Sequence, residues 1–175
     1  MEKLKLTEPT IEYANTIMSF RQEFLDCGDS MDGCGSLRRF DRVEDWLTEV
    51  ERCKKRETVP PNWVPSTQFI CIREHDSKMV GVIQVRHEFN DFLRNYAGHI
   101  GYSVCPSERR RGYAAWMLKN VLPYCKFLGI SDVMVSCLKG NEGSRRTILK
   151  NGGIYSETVH EPKEDVMLEK YWIHI

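Results

Sequence analysis

Val104-Cys105-Pro106-Ser107-Glu108-Arg109-Arg110-Arg111-Gly112-Tyr113-Ala114 is the stretch on which the reading of this chain turns. A β-rich run, Ala97 to Cys105, leads into it, and an apolar face recurring at helical spacing, Ala114, Met117, Leu118, Val121, Leu122, Cys125 and Leu128, follows it. Strand, proline stop, basic turn and helix start at a glycine therefore follow one another. The first turn of a helix has unpaired N–H groups and the positive end of the helix dipole, which together make an anion site. Gly112 lets main chain approach an anion with no side chain between them. Three adjacent arginines add charge. An isolated R-x-x-G-x-A string is an ordinary solvated turn; at a strand-to-helix junction it reads as a pyrophosphate-binding turn.

Outward from this turn the elements are legible in order. Leu4 and Leu6 alternate with polar residues in a first strand, Lys3 to Thr7. Pro9-Thr10 opens a helix whose inward face is Ala14, Ile17, Met18, Phe24 and Leu25. Cys27 to Ser36, with three glycines, is loop. Asp41-x-x-Glu44 reads as a capping box before a helix with Val43, Trp46, Leu47 and Val50 inward. Prolines 60, 61 and 65 end it. Thr67 to Glu74 and Lys78 to Arg86 form a hairpin around His75-Asp76-Ser77, and His87 to Asn95 is a polar loop. After the helix from Gly112 to Leu128, kinked at Pro123, come a strand (Asp132 to Leu138), a short helix (Asn141 to Asn151) and two strands (Ile154 to His160, Val166 to Ile175). The predicted fold is a single α/β (α+β) domain, residues 1–175. It is a mixed, mostly antiparallel sheet of about seven strands with helices on both faces.

Composition limits the function. Lys+Arg and Asp+Glu both number 25 among 175 residues, so the formal net charge is zero and no global field holds a polyanion; nucleic acid is not the expected partner. No apolar stretch is long enough to span a membrane and the N-terminus lacks a signal-peptide run. Seven scattered cysteines without a C-x-x-C spacing read as free thiols in a reducing cytoplasm, not as a disulfide framework or zinc site. A homodimer is neither required nor excluded.

Arg109-x-x-Gly112-x-Ala114 resembles the Arg/Gln-x-x-Gly-x-Gly/Ala signature of the GNAT superfamily of N-acetyltransferases. Ile100-Gly101-Tyr102-Ser103-Val104-x-Pro106 is similar to that superfamily's fourth strand, and Asn141-x-x-Ser144 with Lys150-Asn151-Gly152 is similar to its last helix. The close match covers Gly98 to Gly153; the rest agrees in element order. The resemblance implies acetyl-CoA as cosubstrate, with no metal. Its pyrophosphate would lie on the amides of Arg110 to Ala114, including Arg111, Gly112 and Tyr113. Its pantetheine arm would pair with the fourth strand near Ser103 and Val104, with Asn141 and Ser144 on the last helix beside it. The acceptor would be a primary amine, on a small molecule or a peptide amino terminus. It would attack the thioester directly, with a backbone N–H near Val104 as oxyanion donor. A non-catalytic acyl-CoA-binding module of the same fold is the alternative.

His99 stands just before Ile100-Gly101-Tyr102, where many relatives carry a Glu. An imidazole there either relays the amine's proton or is a structural histidine at a strand edge. Alternation puts His99, Gly101 and Ser103 on one face, unless a bulge breaks the parity; His99 and Ser103 are the catalytic candidates. The resemblance implies a Tyr acid seven residues after Asn141, but Ile148 stands there and cannot donate a proton. His87, Glu88, Asn90 and Asp91 are candidates for an acceptor-lining loop, and Glu23, Asp26, Asp29 and Asp32 for an acidic surface that draws in a cationic amine. For both groups plain solvated charge is the simpler reading. Cys105 has no paired base and reads as unreactive. Specificity is expected in the first two helices and in the Asn90 and Pro162 loops.

Overall fold

In the computed structural model, which describes residues 2–175, seven strands form one sheet. They are β1 (Leu4–Thr7), β2 (Ser66–Arg73), β3 (Lys78–Arg86), β4 (Ile100–Val104), β5 (Asp132–Leu138), β6 (Ile154–Glu161) and β7 (Val166–His174). The helices are α1 (Ala14–Cys27), α2 (Val43–Arg52), α3 (Tyr113–Phe127) and α4 (Glu142–Lys150). The spatial order is β1-β2-β3-β4-β5-β7-β6. Every neighbouring pair is antiparallel except β4 and β5. The mixed, mostly antiparallel sheet and the element order agree with the sequence reading.

Two cores lie on opposite faces. Phe20, Phe24, Trp46 and Val50 of α1 and α2 pack with Ile70, Val82 and Cys105. Met117, Leu118, Val121 and Ile148 of α3 and α4 pack with Val80, Ile83, Val133 and Tyr171. Burying both faces explains why β2 and β3 read as near-continuous apolar runs. Pro123 is tolerated inside α3 because it lies on the exposed side, where the carbonyl it deprives of a partner meets water.

Two local expectations change. Asp41 does not cap α2: its carboxylate accepts from Arg21 Nη2 (2.8 Å), and α2 starts after Arg42 without a side-chain cap. The loop before β4 contains a π-helical turn, Leu93–Ala97. No bulge breaks the alternation of β4 between Ile100 and Val104. Its register against β3 runs unbroken from Ile100↔Val85 to Val104↔Gly81; the shifts fall instead in the β2–β3 pair, where Val80 of β3 is the extra residue between Cys71↔Gly81 and Ile72↔Met79, and in the β6–β7 pair at Tyr155/Glu157.

Unbroken register in β4 settles which way its groups point. The Cys105 N–H binds the Val80 carbonyl (2.9 Å) and the Arg86 N–H binds the His99 carbonyl (2.8 Å). From Gly101 on, odd-numbered residues therefore spend their main-chain groups on β3, while Ile100, Tyr102 and Val104 present theirs toward β5; His99 is split, its carbonyl on β3 and its N–H on the Met134 carbonyl of β5 (2.8 Å). Only Ile100 finds a registered partner there, Val135. Beyond it the two parallel strands make no further registered pair, and the main-chain edge at Tyr102 and the Val104 N–H is left open.

Candidate active site

The signature turn borders this opening. Cys105 ends the strand, Pro106–Glu108 forms one helical turn, and α3 starts at Tyr113 behind Gly112. Arg110 and Gly112 both have positive φ, 67° and 87°. Between the Glu108 amide, bonded to Cys105, and the Trp116 amide, bonded to Gly112, no turn or capping bond uses the intervening N–H groups among the described residues. Alternating left-handed main chain with free amides makes a concave anion nest at a helix N-terminus. A Cβ built on Gly112 meets nothing within 4 Å, so the nest faces open space.

What holds the turn was missed in the sequence. Glu108 is buried and pairs with Arg73 (Nη1–Oε2 2.7 Å), Lys78 (2.9 Å) and Arg111 (3.5 Å). Arg73 also grips Asp76 (2.6 Å) and donates to the Tyr113 hydroxyl (3.2 Å). Hydrogen bonds from Arg73 and Lys78 hold the Glu108 carboxyl down at about 2. The clamp ties the base of the turn to the β2–β3 hairpin. Its members lie far apart in sequence, and Glu108 alone looks like one more charge in a basic turn.

The three arginines are not equivalent. Arg109 pairs with Asp29 (2.6 Å) and donates to the Val104 carbonyl (3.3 Å). Arg111 leans on Glu108 and, at 3.9 Å, Glu2. Of these three, Arg110 alone has no carboxylate partner among the described residues. Tyr113, expected to touch the cosubstrate, buries its side chain in the core, so its amide is what it offers.

On α4, Asn141 Oδ1 accepts from the Ser144 N–H (3.1 Å) and caps the helix. The Ser144 hydroxyl lies 2.7 Å from the Tyr102 hydroxyl and so links α4 to β4 across the opening. Ile148 is fully buried in the core.

The two catalytic candidates both have their side chains bonded to main chain. The His99 ring is buried, lies 3.9 Å from the Phe89 ring, and accepts the Met134 N–H at Nδ1 (3.0 Å). Burial, with Arg86 nearby, drives its pKa down to about 4. Held neutral with its lone pair used, His99 locks β4 to β5 at the point where they still touch. These are the surroundings of the structural alternative. Ser103 donates to the Asp32 carbonyl (2.8 Å) and anchors the α1–α2 loop. The unfolded imidazole titrates near 6.5, so folding expels a proton between about 6.5 and 4. Stability should therefore fall as pH drops through that window, at up to about 1.4 kcal/mol per unit from this group. Burial also lowers the His87 pKa, so it acts in the same sense. Urea titrations from pH 7 to 4.5 should show a flatter decline for His99→Asn than for the wild type; identical slopes would remove His99 as the source.

On the α1/α2 face a cavity of about 500 Å³ opens between the α1–α2 loop, β3 and the loop before β4. Asp32, Asn62, Trp63, Gln84, Arg86 and Asn90 contribute to its wall. The loop wall is well fixed. Gln68 Nε2 donates to the Gly33 carbonyl (2.8 Å) and Trp46 Nε1 to those of Cys34 and Gly35 (both 3.0 Å). Gly33 lies so close to β4 that a Cβ would sit 2.0 Å from the Gly101 carbonyl oxygen. Of the expected acceptor-side groups, Asn90 and Asp32 reach this wall. Asp26 bonds Gln22, Asp29 bonds Arg109, Glu23 accepts from Cys105 and Ser107, His87 bonds Thr67, and Glu88 pairs with Arg56. Asp91 and the Pro162 turn are not part of this cavity. Burial and Glu23 beside it push the Cys105 thiol up to about 12, in keeping with an unreactive reading.

A family model described as an acetyltransferase (GNAT) domain matches residues 4–154. The chain belongs to the GNAT acetyltransferase family. Among solved structures it is similar to the ribosomal-protein-S5-alanine acetyltransferase from Vibrio fischeri, with a TM-score of 0.76, 14% identity, and coverage of 99% of this chain and 94% of that one. RimJ from Mycobacterium smegmatis, in complex with a CoA disulfide, superposes with a TM-score of 0.71 at 15% identity, over 98% of this chain and 81% of that one. The microcin C7 self-immunity acetyltransferase MccE, in complex with acetyl-CoA and AMP, gives 0.66 at 15% identity, over 100% and 94%. No curated protein sequence matches significantly. At such identities the shared feature is the GNAT fold. Among the described residues no helix is long and apolar enough to cross a membrane, and no cluster of three or more His, Cys, Asp or Glu is arranged to hold a metal.

Proposed function

We propose that this GNAT chain, acting as one domain in the cytosol, transfers the acetyl group of acetyl-CoA directly to a primary amine on a small molecule or a peptide amino terminus. The observation that carries this reading is the junction of two features: the open main-chain edge of β4 beyond Ile100 and the amide nest at Arg110 and Gly112. Bound acetyl-CoA supplies a thioester carbonyl open to attack by an amine. The chain's own groups do the rest. Amides of residues 110–114 receive the pyrophosphate, with Arg110 adding charge. Tyr102 and the Val104 N–H offer main-chain hydrogen bonds to the pantetheine arm, the Val104 carbonyl being held by Arg109, while Asn141 and Ser144 border the arm from α4. The Val104 N–H faces the opening and can stabilise charge developing on the acyl oxygen. With His99 neutral and Ser103 bonded to loop main chain, no side chain at β4 takes the proton. Catalysis then rests on positioning, main-chain donors and a water relay.

Thiol release from acetyl-CoA over a panel of amines tests this reading. The buried His99 and Ile148 favour a second one, a non-catalytic acyl-CoA-binding module. That module would bind CoA and release no thiol with any amine.

The charge pattern at the turn makes a separate prediction. Arg110→Ala should weaken CoA roughly tenfold, and Arg109→Ala less, because Arg109 already serves Asp29. The Arg110 effect should shrink in high salt and vanish for an acetyl-pantetheine thioester lacking the phosphates. Titration calorimetry with both ligands measures it; equal losses for both would point away from a phosphate contact.

A further inference from the structure

The cavity beside β4 holds two opposite charges that do not meet. Arg86, half-buried in the wall, uses Nη1 on the Ala97 and Gly98 carbonyls (3.4 and 3.2 Å). Among the described residues it forms no ion pair within 4.0 Å. A cation drawn from water without a carboxylate costs free energy unless something supplies the counter-charge. Burial lowers the Arg86 pKa to about 10, with only Asp32 opposing the shift. Asp32 stands in the same wall, its carboxylate holding only the Ser30 hydroxyl (3.1 Å). Met31, Trp63, Phe92 and Leu93 give the cavity an apolar side. The Asn90 side chain donates to the Asn62 carbonyl (2.9 Å) and ties the two rim loops together.

The position is right for an acceptor. The nearest atom to a Cβ built on Gly101 is Arg86 Nη2, 3.1 Å away, so the guanidinium lies against β4. Asp32 is joined to the same strand through Ser103. The cavity therefore abuts the α1/α2 face of the strand whose far edge is open at Val104. Its volume suits a small molecule or the end of a peptide.

We propose that this cavity binds an acceptor carrying both an amine and a carboxylate on an apolar body. Arg86 takes the carboxylate and Asp32 draws the ammonium toward β4. This rests on the acetyl-transfer reading above and narrows its substrate class. Bidentate geometry makes a guanidinium the fitting partner for a planar carboxylate. The carboxylate can belong to a free amino acid or to an acidic side chain next to a peptide amino terminus.

Matched acceptors decide it: phenylalanine against 2-phenylethylamine, and phenylalanyl-glutamate amide against phenylalanyl-glutamine amide. For one pair, the wild type should favour the acid in kcat/KM by roughly ten- to a hundredfold. Which pair responds identifies the source of the carboxylate. Arg86→Gln should bring that ratio to about one, and Arg86→Lys should retain part of it. Equal use of both members of both pairs by the wild type overturns the proposal and leaves acetyl transfer standing.

Calorimetry on the wild-type chain without CoA keeps the test open if the variants fail to fold or no amine is acetylated. Binding of 3-phenylpropionate but not 3-phenylpropanol supports the carboxylate site. Equal or absent binding of the two overturns it. Carboxylate binding with no thiol release from any amine would uphold the site and overturn the enzyme.

Discussion

Gly112→Asp should reduce CoA affinity at least a hundredfold and leave the chain folded. Gly112 is left-handed at φ 87°, and any L residue there is strained by about 1–2 kcal/mol. A Cβ at this position meets no protein atom within 4 Å, so no clash is added. An aspartate before the first turn of α3 also accepts helix amides and suits the dipole, offsetting part of the strain. Those amides are the ones the pyrophosphate needs, and the new charge repels it. Gly112→Ala, with the strain but not the charge, should lose only about tenfold. Titration calorimetry with CoA, beside a melting curve, measures both. Unchanged affinity in Gly112→Asp would sink the phosphate-turn assignment, while equal losses in the two variants would trace the effect to backbone strain.

Glu108→Ala should destabilise the chain by about 3 kcal/mol, because removing one partner of a buried ion network strands the others. Arg73 keeps Asp76 but loses its two bonds to Glu108, and Lys78 loses its carboxylate. For a chain of this length that is a fall in melting temperature of about 6–12 °C. CoA affinity should fall with it, since the clamp fixes the turn that carries the nest. Glu108→Gln keeps an acceptor for Arg73 and should recover part of both. The pH dependence has a definite sign. The folded carboxyl titrates at about 2 and the unfolded one near 4.5, so its stabilisation is present above about 4.5 and is lost as pH falls toward 2. In Glu108→Ala the acid limb of the stability curve should flatten below pH 4.5. A melting temperature within 2 °C of wild type would show that the clamp contributes little.

The legible features were those written in short range. Periodicity marked α3, whose apolar stripe survives an internal proline because that proline faces water. The order of seven strands and four helices followed from runs and breakers. The signature turn stood out because strand, proline, arginines, glycine and helix start are contiguous. The capping box failed because a side chain remote in sequence, Arg21, competes for Asp41. Whether a bulge breaks the alternation of β4 depended on pairing with β3, which no local signal in β4 reports.

Chemistry at single side chains lay beyond the sequence for the same reason. A histidine at a strand start has one composition and two destinies. Contact with the Met134 amide and the Phe89 ring, 35 and 10 positions away, made it a neutral lock. Glu108 and Arg73 are 35 residues apart, and Asp32 and Arg86 are 54 apart; nothing local says that the first two meet and the last two share one cavity. By itself the sequence determined the elements, their order and the strand–turn–helix junction at Arg109 to Ala114, all set by neighbours within a helical turn or a strand's alternation. Only the tertiary structure decided where β4 and β5 part, which buried charges find partners, and which cation is left for a ligand. Those outcomes depend on burial and on contacts between segments that the chain brings together only on folding.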